Sequence, residues 1–117
     1  MNQRSEARKK IIAFTPVYKL SDKSILGYVG DLTLKGVMVV GEKETELNVE
    51  VLLGIDFPAE DGPVRKVSIP ARAAWIRRDE DAAYFNIGFE FINLSAENAA
   101  ILEAALARYQ FRPALSR

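Results

Sequence analysis

The chain has no cysteine and no histidine among its 117 residues. That excludes disulfides, zinc sites built from the usual nitrogen and sulfur ligands, and nucleophilic catalysis running on a thiolate or an imidazole. Net charge is missing too: 16 Lys plus Arg balance 16 Asp plus Glu. No field of one sign draws in a polyanion, so the usual electrostatic footprint of a nucleic-acid binder is absent and no nucleic-acid partner is expected. No apolar run approaches the roughly 20 residues a membrane-spanning helix needs. The charged first residues lack the apolar stretch of a secretory signal, so a cytoplasmic protein is the expectation. Acidic residues are plentiful, but no pair is placed as acid and base; an enzyme is the least expected class, and no metal or cofactor is expected. What remains is globular, 49% hydrophobic and 27% charged, and residues 1–117 suffice for one domain with its own core.

Residues 1–10, M-N-Q-R-S-E-A-R-K-K, carry four cations and one anion and offer almost nothing to bury. Such a segment is expected to be flexible until something holds it. From Ile11 to Ile92 the pattern is β. Phe14, Pro16, Tyr18 and Leu20 alternate with their neighbours, and Pro16 suits a strand start or an edge. After the turn at Ser21–Ser24, a strand from Ile25 to Leu34 is expected to face Leu26, Tyr28, Leu32 and Leu34 inward. Val37–Val40 follows, then Val49–Phe57, with Val51, Leu53, Ile55 and Phe57 on one face. Val67, Ile69, Ala71, Ala73 and Trp75 make another face, and Phe85, Ile87, Phe89 and Phe91 the last. Six short strands joined by hairpin-length turns predict a mainly β, antiparallel barrel, whose closure removes exposed edges. The period then changes. Ser95 is the expected N-cap of a helix over 95–110, with Glu97 in its first turn and Ile101, Leu102, Ala105, Leu106 and Tyr109 on one side, plugging the barrel.

The stretch Gly30–Val40 reads G-D-L-T-L-K-G-V-M-V-V. On an extended strand Asp31 and Thr33 share one face, and Leu32 and Leu34 take the other. Two buried leucines would then hold a carboxylate and a hydroxyl side by side toward solvent. Gly36 permits a positive φ, a bulge or a close backbone approach by a ligand. Alone, this is equally a strand, a turn and a strand with polar residues on the wet face. Upstream, however, Arg4 and Arg8 form R-x-x-x-R, and 22 residues separate Arg8 from the D-x-T-x-x-G of Asp31, Thr33 and Gly36.

In that order and spacing the two motifs resemble the bipartite signature of PilZ domains, small β-barrels that bind the bacterial second messenger cyclic di-GMP. The resemblance extends over nearly the whole chain: N-terminal motif loop, six-stranded (split) barrel, I-G-F-E-F at 87–91 like the family's last strand, and C-terminal helix. It implies a non-catalytic module in which Arg4, Arg8, Asp31, Thr33 and Gly36 contact cyclic di-GMP. A guanidinium can fork onto guanine O6 and N7, clasp a phosphate or stack on a base. Asp31 can accept from the guanine N1–H and N2–H₂ edge or orient an arginine. Thr33 stands where serine is commoner and keeps the hydroxyl. Gln3 occupies the position that bears on whether one ligand or an intercalated pair is bound. Trp75 reads either as a core residue or as a base-contacting aromatic at the pocket margin.

Three functions follow as expectations. The favoured one is a sensor whose R-x-x-x-R segment is ordered on the barrel by cyclic di-GMP and which signals to a downstream effector protein, in trans or within a complex; a homodimer is left open. The alternative is a PilZ-like adaptor that no longer binds nucleotide. The third, a barrel that binds nucleic acid, is opposed by the neutral charge.

Overall fold

A strand that buries one face commits its register, and a sheet edge left unpaired invites association; closing the sheet answers both demands. The computed structural model describes residues 10–12, 14–58, 64–78 and 82–111. In chain order these form β1 (Lys10–Ile12), β2 (Pro16–Lys19), β3 (Ser24–Leu32), β4 (Gly36–Gly41), β5 (Glu50–Phe57), β6 (Arg65–Arg77), β7 (Phe85–Phe91), α1 (Ala96–Arg108) and β8 (Tyr109–Phe111). Strands β2 to β7 make a closed antiparallel barrel in the order β2-β3-β4-β7-β6-β5, with β2 pairing both β3 and β5. These are the six strands the alternation predicts. Val17, Val29, Leu53, Ile55, Ile69 and Ile87 fill the interior with no exposed surface.

Two strands change face part-way, and in both the alternation misleads. In β3 the register against β4 shifts between Val29 and Asp31. Val29 and Leu32 are therefore both buried although three residues apart. Of the four residues expected inside, only Leu32 is fully buried; Leu26 and Tyr28 are half-buried, and Leu34 is exposed in the turn after the strand. In β6 the register against β7 shifts between Ala73 and Trp75. The inward row Val67, Ile69, Ala71 and Ala73 ends there, and Trp75 points out. Ahead of them, β2 buries Val17 rather than the Phe14–Leu20 row, and Phe14 is 67% exposed, its ring edge-on to Tyr28 at 6.0 Å.

The helix begins as expected: the Ser95 hydroxyl accepts from the Asn98 N–H at 3.0 Å, satisfying one of the free donors of the first turn. It packs on β6, where the Asn98 amide donates to the Ser68 carbonyl at 2.9 Å, and sinks Leu102 and Ala105 into the barrel core. It ends at Arg108, two residues short of the expected bound. Tyr109 and Phe111 are both buried with Gln110 exposed between them, a period of two rather than of a helix, and they extend as β8. Strand β8 pairs in parallel with β1, Lys10 beside Tyr109 and Ile12 beside Phe111. Lys10, expected in the flexible segment, is thus the first residue of a ribbon outside the barrel. Among the described residues no helix is long and apolar enough to cross a membrane.

One polar atom is at odds with the core. Thr15 is 2% exposed, and its hydroxyl finds no hydrogen-bond partner among the described residues. A buried hydroxyl without a partner forfeits its hydration for nothing. Thr15→Val, which keeps the shape and removes the hydroxyl, is expected to stabilise the fold by about 1–2 kcal/mol in urea unfolding. A loss of that size would mean the hydroxyl is satisfied.

Candidate functional site

The turn between β3 and β4 is built by its own polar groups. The Thr33 N–H donates to the Gly36 carbonyl at 3.0 Å. In return the Thr33 Oγ1 accepts from the N–H of Lys35 at 3.0 Å and of Gly36 at 3.3 Å. A hydroxyl has two lone pairs and one proton, so both acceptor positions are taken and Thr33 is left to act as a donor. Asp31 accepts from the Leu32 N–H through Oδ1 at 3.0 Å. It is exposed and keeps its second oxygen for acceptance. Asp31 and Thr33 do come together, but across a strand end and a turn rather than along one strand face.

Gly36 is glycine for a reason other than a left-handed turn: among the described glycines only Gly27 has a positive φ. A Cβ on Gly36 would lie 2.2 Å from the Phe89 carbonyl oxygen of β7. The neighbouring strand, not a bend, demands the missing side chain.

Across β4 the outer surface dips into an open hollow of about 300 Å³, bounded by Asp31, Thr33 and Gly36 from the turn, Trp75 from β6, and Gly88 and Glu90 from β7. The core reading of Trp75 is thereby corrected. At the shift, Ala73 and Trp75 pair with adjacent residues of β7, Phe89 and Gly88, so Ala74 is the extra residue of a β-bulge. The Ala73 carbonyl beside the bulge is engaged from the connection between β4 and β5. There Asn48, at φ 62°, donates its N–H to the Ala73 carbonyl at 2.9 Å and holds it. Beyond the bulge inside and outside exchange, and the indole comes to lie on Gly88, where a Cβ would be 2.2 Å from Cε2 and Nε1.

The charges around the hollow are mixed. Asp31 and Glu90 bring carboxylates and Lys35 an ammonium. Glu90 is engaged by Arg72, Nε to Oε1 at 3.3 Å. Gly88, Lys35 and Glu90 were not singled out by the sequence. Gly88 had a signal, a glycine inside an alternating aromatic strand, which marks a close approach. Lys35 and Glu90 had none, because any exposed charge on a strand looks alike.

Gln3, Arg4 and Arg8 lie outside the described residues. Two residues after Arg8 the chain is held at Lys10 beside Tyr109. A second hollow, of about 380 Å³, lies between Asp31 and Leu32 on one side and Tyr109, Gln110 and Phe111 on the other. Asp31 therefore stands on the ridge between two hollows, and the strand that follows the arginine motif runs along the element lining one of them. Among the described residues no group of acidic side chains is gathered as a metal site.

A closed barrel with acceptor, donor and aromatic ring around a shallow outer hollow belongs to the class of small binding modules. The sequence profile of the PilZ domain matches residues 2–109, nearly the whole chain, and the chain belongs to the PilZ domain family. Among solved structures it is similar to that of Bacillus subtilis Inhibitor of motility (MotI/DgrA), with a TM-score of 0.66 at 16% sequence identity. That match covers 91% of this chain and 50% of the other, so the chain spans about half the length of that neighbour and shares its fold. No curated protein matches the sequence.

Proposed function

We propose that this PilZ domain is a cyclic di-GMP sensor whose N-terminal arginine segment closes over the bound nucleotide and whose altered surface is read by a partner protein. The observation that carries the reading is the gathering of Asp31, Thr33, Gly36 and Trp75 around one hollow. It occurs in a chain whose family match takes in Arg4 and Arg8. Each group suits part of such a ligand. The indole gives a guanine a face to stack on, which is worth about 1–3 kcal/mol per base in nucleic-acid complexes. Asp31 accepts from the guanine N1–H and N2–H₂ edge. Thr33, its lone pairs occupied, donates to a phosphate or carbonyl oxygen. Arg4 and Arg8 supply the charge that the mixed hollow lacks for a doubly anionic ligand, and their planar forks match phosphate or guanine. Gln3 precedes them at the position that bears on one bound ligand or two. A cytoplasmic location goes with this reading.

Calorimetric titration with cyclic di-GMP tests it and returns affinity and stoichiometry together. Arg4→Ala and Arg8→Ala are each expected to weaken binding at least tenfold at an unchanged melting temperature, because they remove ligand contacts rather than core. Lysine at either position is expected to restore little, since an ammonium has neither fork nor stacking face. In the same samples, amide exchange is expected to slow in residues 3–10 and around Asp31–Gly36 on adding ligand, with β5 unchanged. Wild-type affinity in both alanine variants would take the arginines out of the site. Absence of any binding by the wild type would favour an adaptor that works through protein contacts alone.

A further inference from the structure

Arginines near the hollow are not equally committed. Arg72 is paired with Glu90. Arg78 donates from Nε to the Ala82 carbonyl at 3.1 Å and lies over the Phe85 ring at 5.2 Å. Arg77 is different. It is exposed, and among the described residues its contact is the indole of Trp75, with the guanidinium carbon 5.0 Å from the ring centroid. The bulge at Ala74 that turns Trp75 outward turns Arg77 outward with it, since the two are two residues apart on one strand. Gly88 supports the same indole from the barrel wall. Arg77 thus occupies part of the ring surface that a purine would need, and that ring lines a hollow whose described charges are two carboxylates and one ammonium.

We infer that Arg77 is a third ligand-binding arginine, carried by the barrel itself, which leaves the indole of Trp75 to bind a phosphate of the incoming nucleotide. This rests on the reading of the hollow as a cyclic di-GMP site. The exchange is favourable because a cation–π contact at an exposed site is weak, whereas a charge-assisted hydrogen bond to a phosphate is about twice as strong as a neutral one. Departure of the guanidinium also frees ring surface for the base. One movement therefore satisfies both halves of a nucleotide. The contact is one of charge at the rim, so unlike Arg4 and Arg8 its role can be filled by lysine.

The chain contains one tryptophan, so its fluorescence reports on Trp75 alone. Wild type, Arg77→Gln, Arg77→Ala and Arg77→Lys are titrated with cyclic di-GMP by calorimetry and by fluorescence, at low and at moderate salt. Arg77→Gln and Arg77→Ala are expected to bind at least fivefold more weakly, and Arg77→Lys within threefold of wild type. The fluorescence change at saturation is expected to persist in all four, its midpoint moving with the affinity. Raising the salt is expected to narrow the gap between wild type and the glutamine variant, as screening removes what the charge contributed. Affinity within twofold of wild type in the glutamine and alanine variants, or tighter binding, overturns the proposal while leaving the ligand assignment standing. So does a loss that salt does not narrow or lysine does not restore, for Arg77 would then only brace the indole. If wild type itself shows neither heat nor fluorescence change, the cyclic di-GMP reading fails, and the role of Arg77 with it.

Discussion

Gly88→Val is expected to raise the Kd for cyclic di-GMP more than tenfold, about 1.4 kcal/mol, in a barrel that still folds. Any side chain at Gly88 puts its first carbon 2.2 Å from two indole atoms of Trp75, a separation that cannot be met without movement. What moves is decided by burial. Gly88 is buried in β7 and paired on both sides, to Met38 of β4 and Trp75 of β6, whereas Trp75 is 38% exposed. The indole is therefore the group that yields, tipping away from the wall and spoiling the shelf on which a base would lie. Valine suits a strand, so the backbone has no reason to leave the sheet. The fluorescence of the variant is expected to shift toward that of an indole in water, with far-ultraviolet circular dichroism unchanged. An unaltered affinity alongside a shifted spectrum would remove Trp75 from the binding surface.

Phe57→Ala is expected to cost about 3–5 kcal/mol in chemical denaturation, a large part of the 5–15 kcal/mol typical of a domain. Phe57 is 1% exposed at the end of β5, and its ring meets that of Phe111 at 5.7 Å and 66°. Truncation removes a buried aromatic and opens a cavity that a closed barrel cannot readily collapse. It also withdraws the surface on which β8 rests. Through the pairing of β8 with β1, the residues just after the arginine motif lose their anchor. Amide exchange at residues 109–111 is accordingly expected to accelerate more than that of β3 and β4. A loss below about 1 kcal/mol would mean the space is filled by rearrangement.

The barrel was legible in the sequence because its strands alternate cleanly: Leu53, Ile55 and Phe57, or Ile87 and Phe89, need no more than a period of two. The helix start was legible in Ser95 for an equally local reason. Most misses involve a contact between residues distant in sequence. Tyr28 falls on an unexpected surface because β3 shifts register against β4, and Leu34 because the strand ends at Leu32 and a turn follows. The helix stops early because Tyr109 and Phe111 are called to β1 and to Phe57. Trp75 leaves the core because Ala74 is skipped in the pairing of β6 with β7. A hydrophobic row shows which residues can be inside, but not where a bulge interrupts the ladder. The motif residues Asp31, Thr33 and Gly36 were named from sequence, yet their local bonding and packing were not. The committed lone pairs of Thr33 and the strand that presses on Gly36 are visible only in three dimensions.

The extra residue at Ala74 has a consequence for how such a surface can arise and vanish. Inside and outside on a strand are a matter of parity, and a single residue taken into the ladder or dropped from it inverts the parity of everything beyond it. Drawing Ala74 into the ladder, so that it rather than Trp75 paired with Gly88, would leave the sequence of β6 unchanged, yet swing Trp75 and Arg77 toward the barrel axis and carry Ile76 to the exterior. A bulky ring and a cation would then compete for space that Ile87 and Phe89 already fill. The wall of the hollow is thus separated from a failed core by the pairing of one alanine. A chain can lose this surface outright by a change far smaller than the substitution of its arginines.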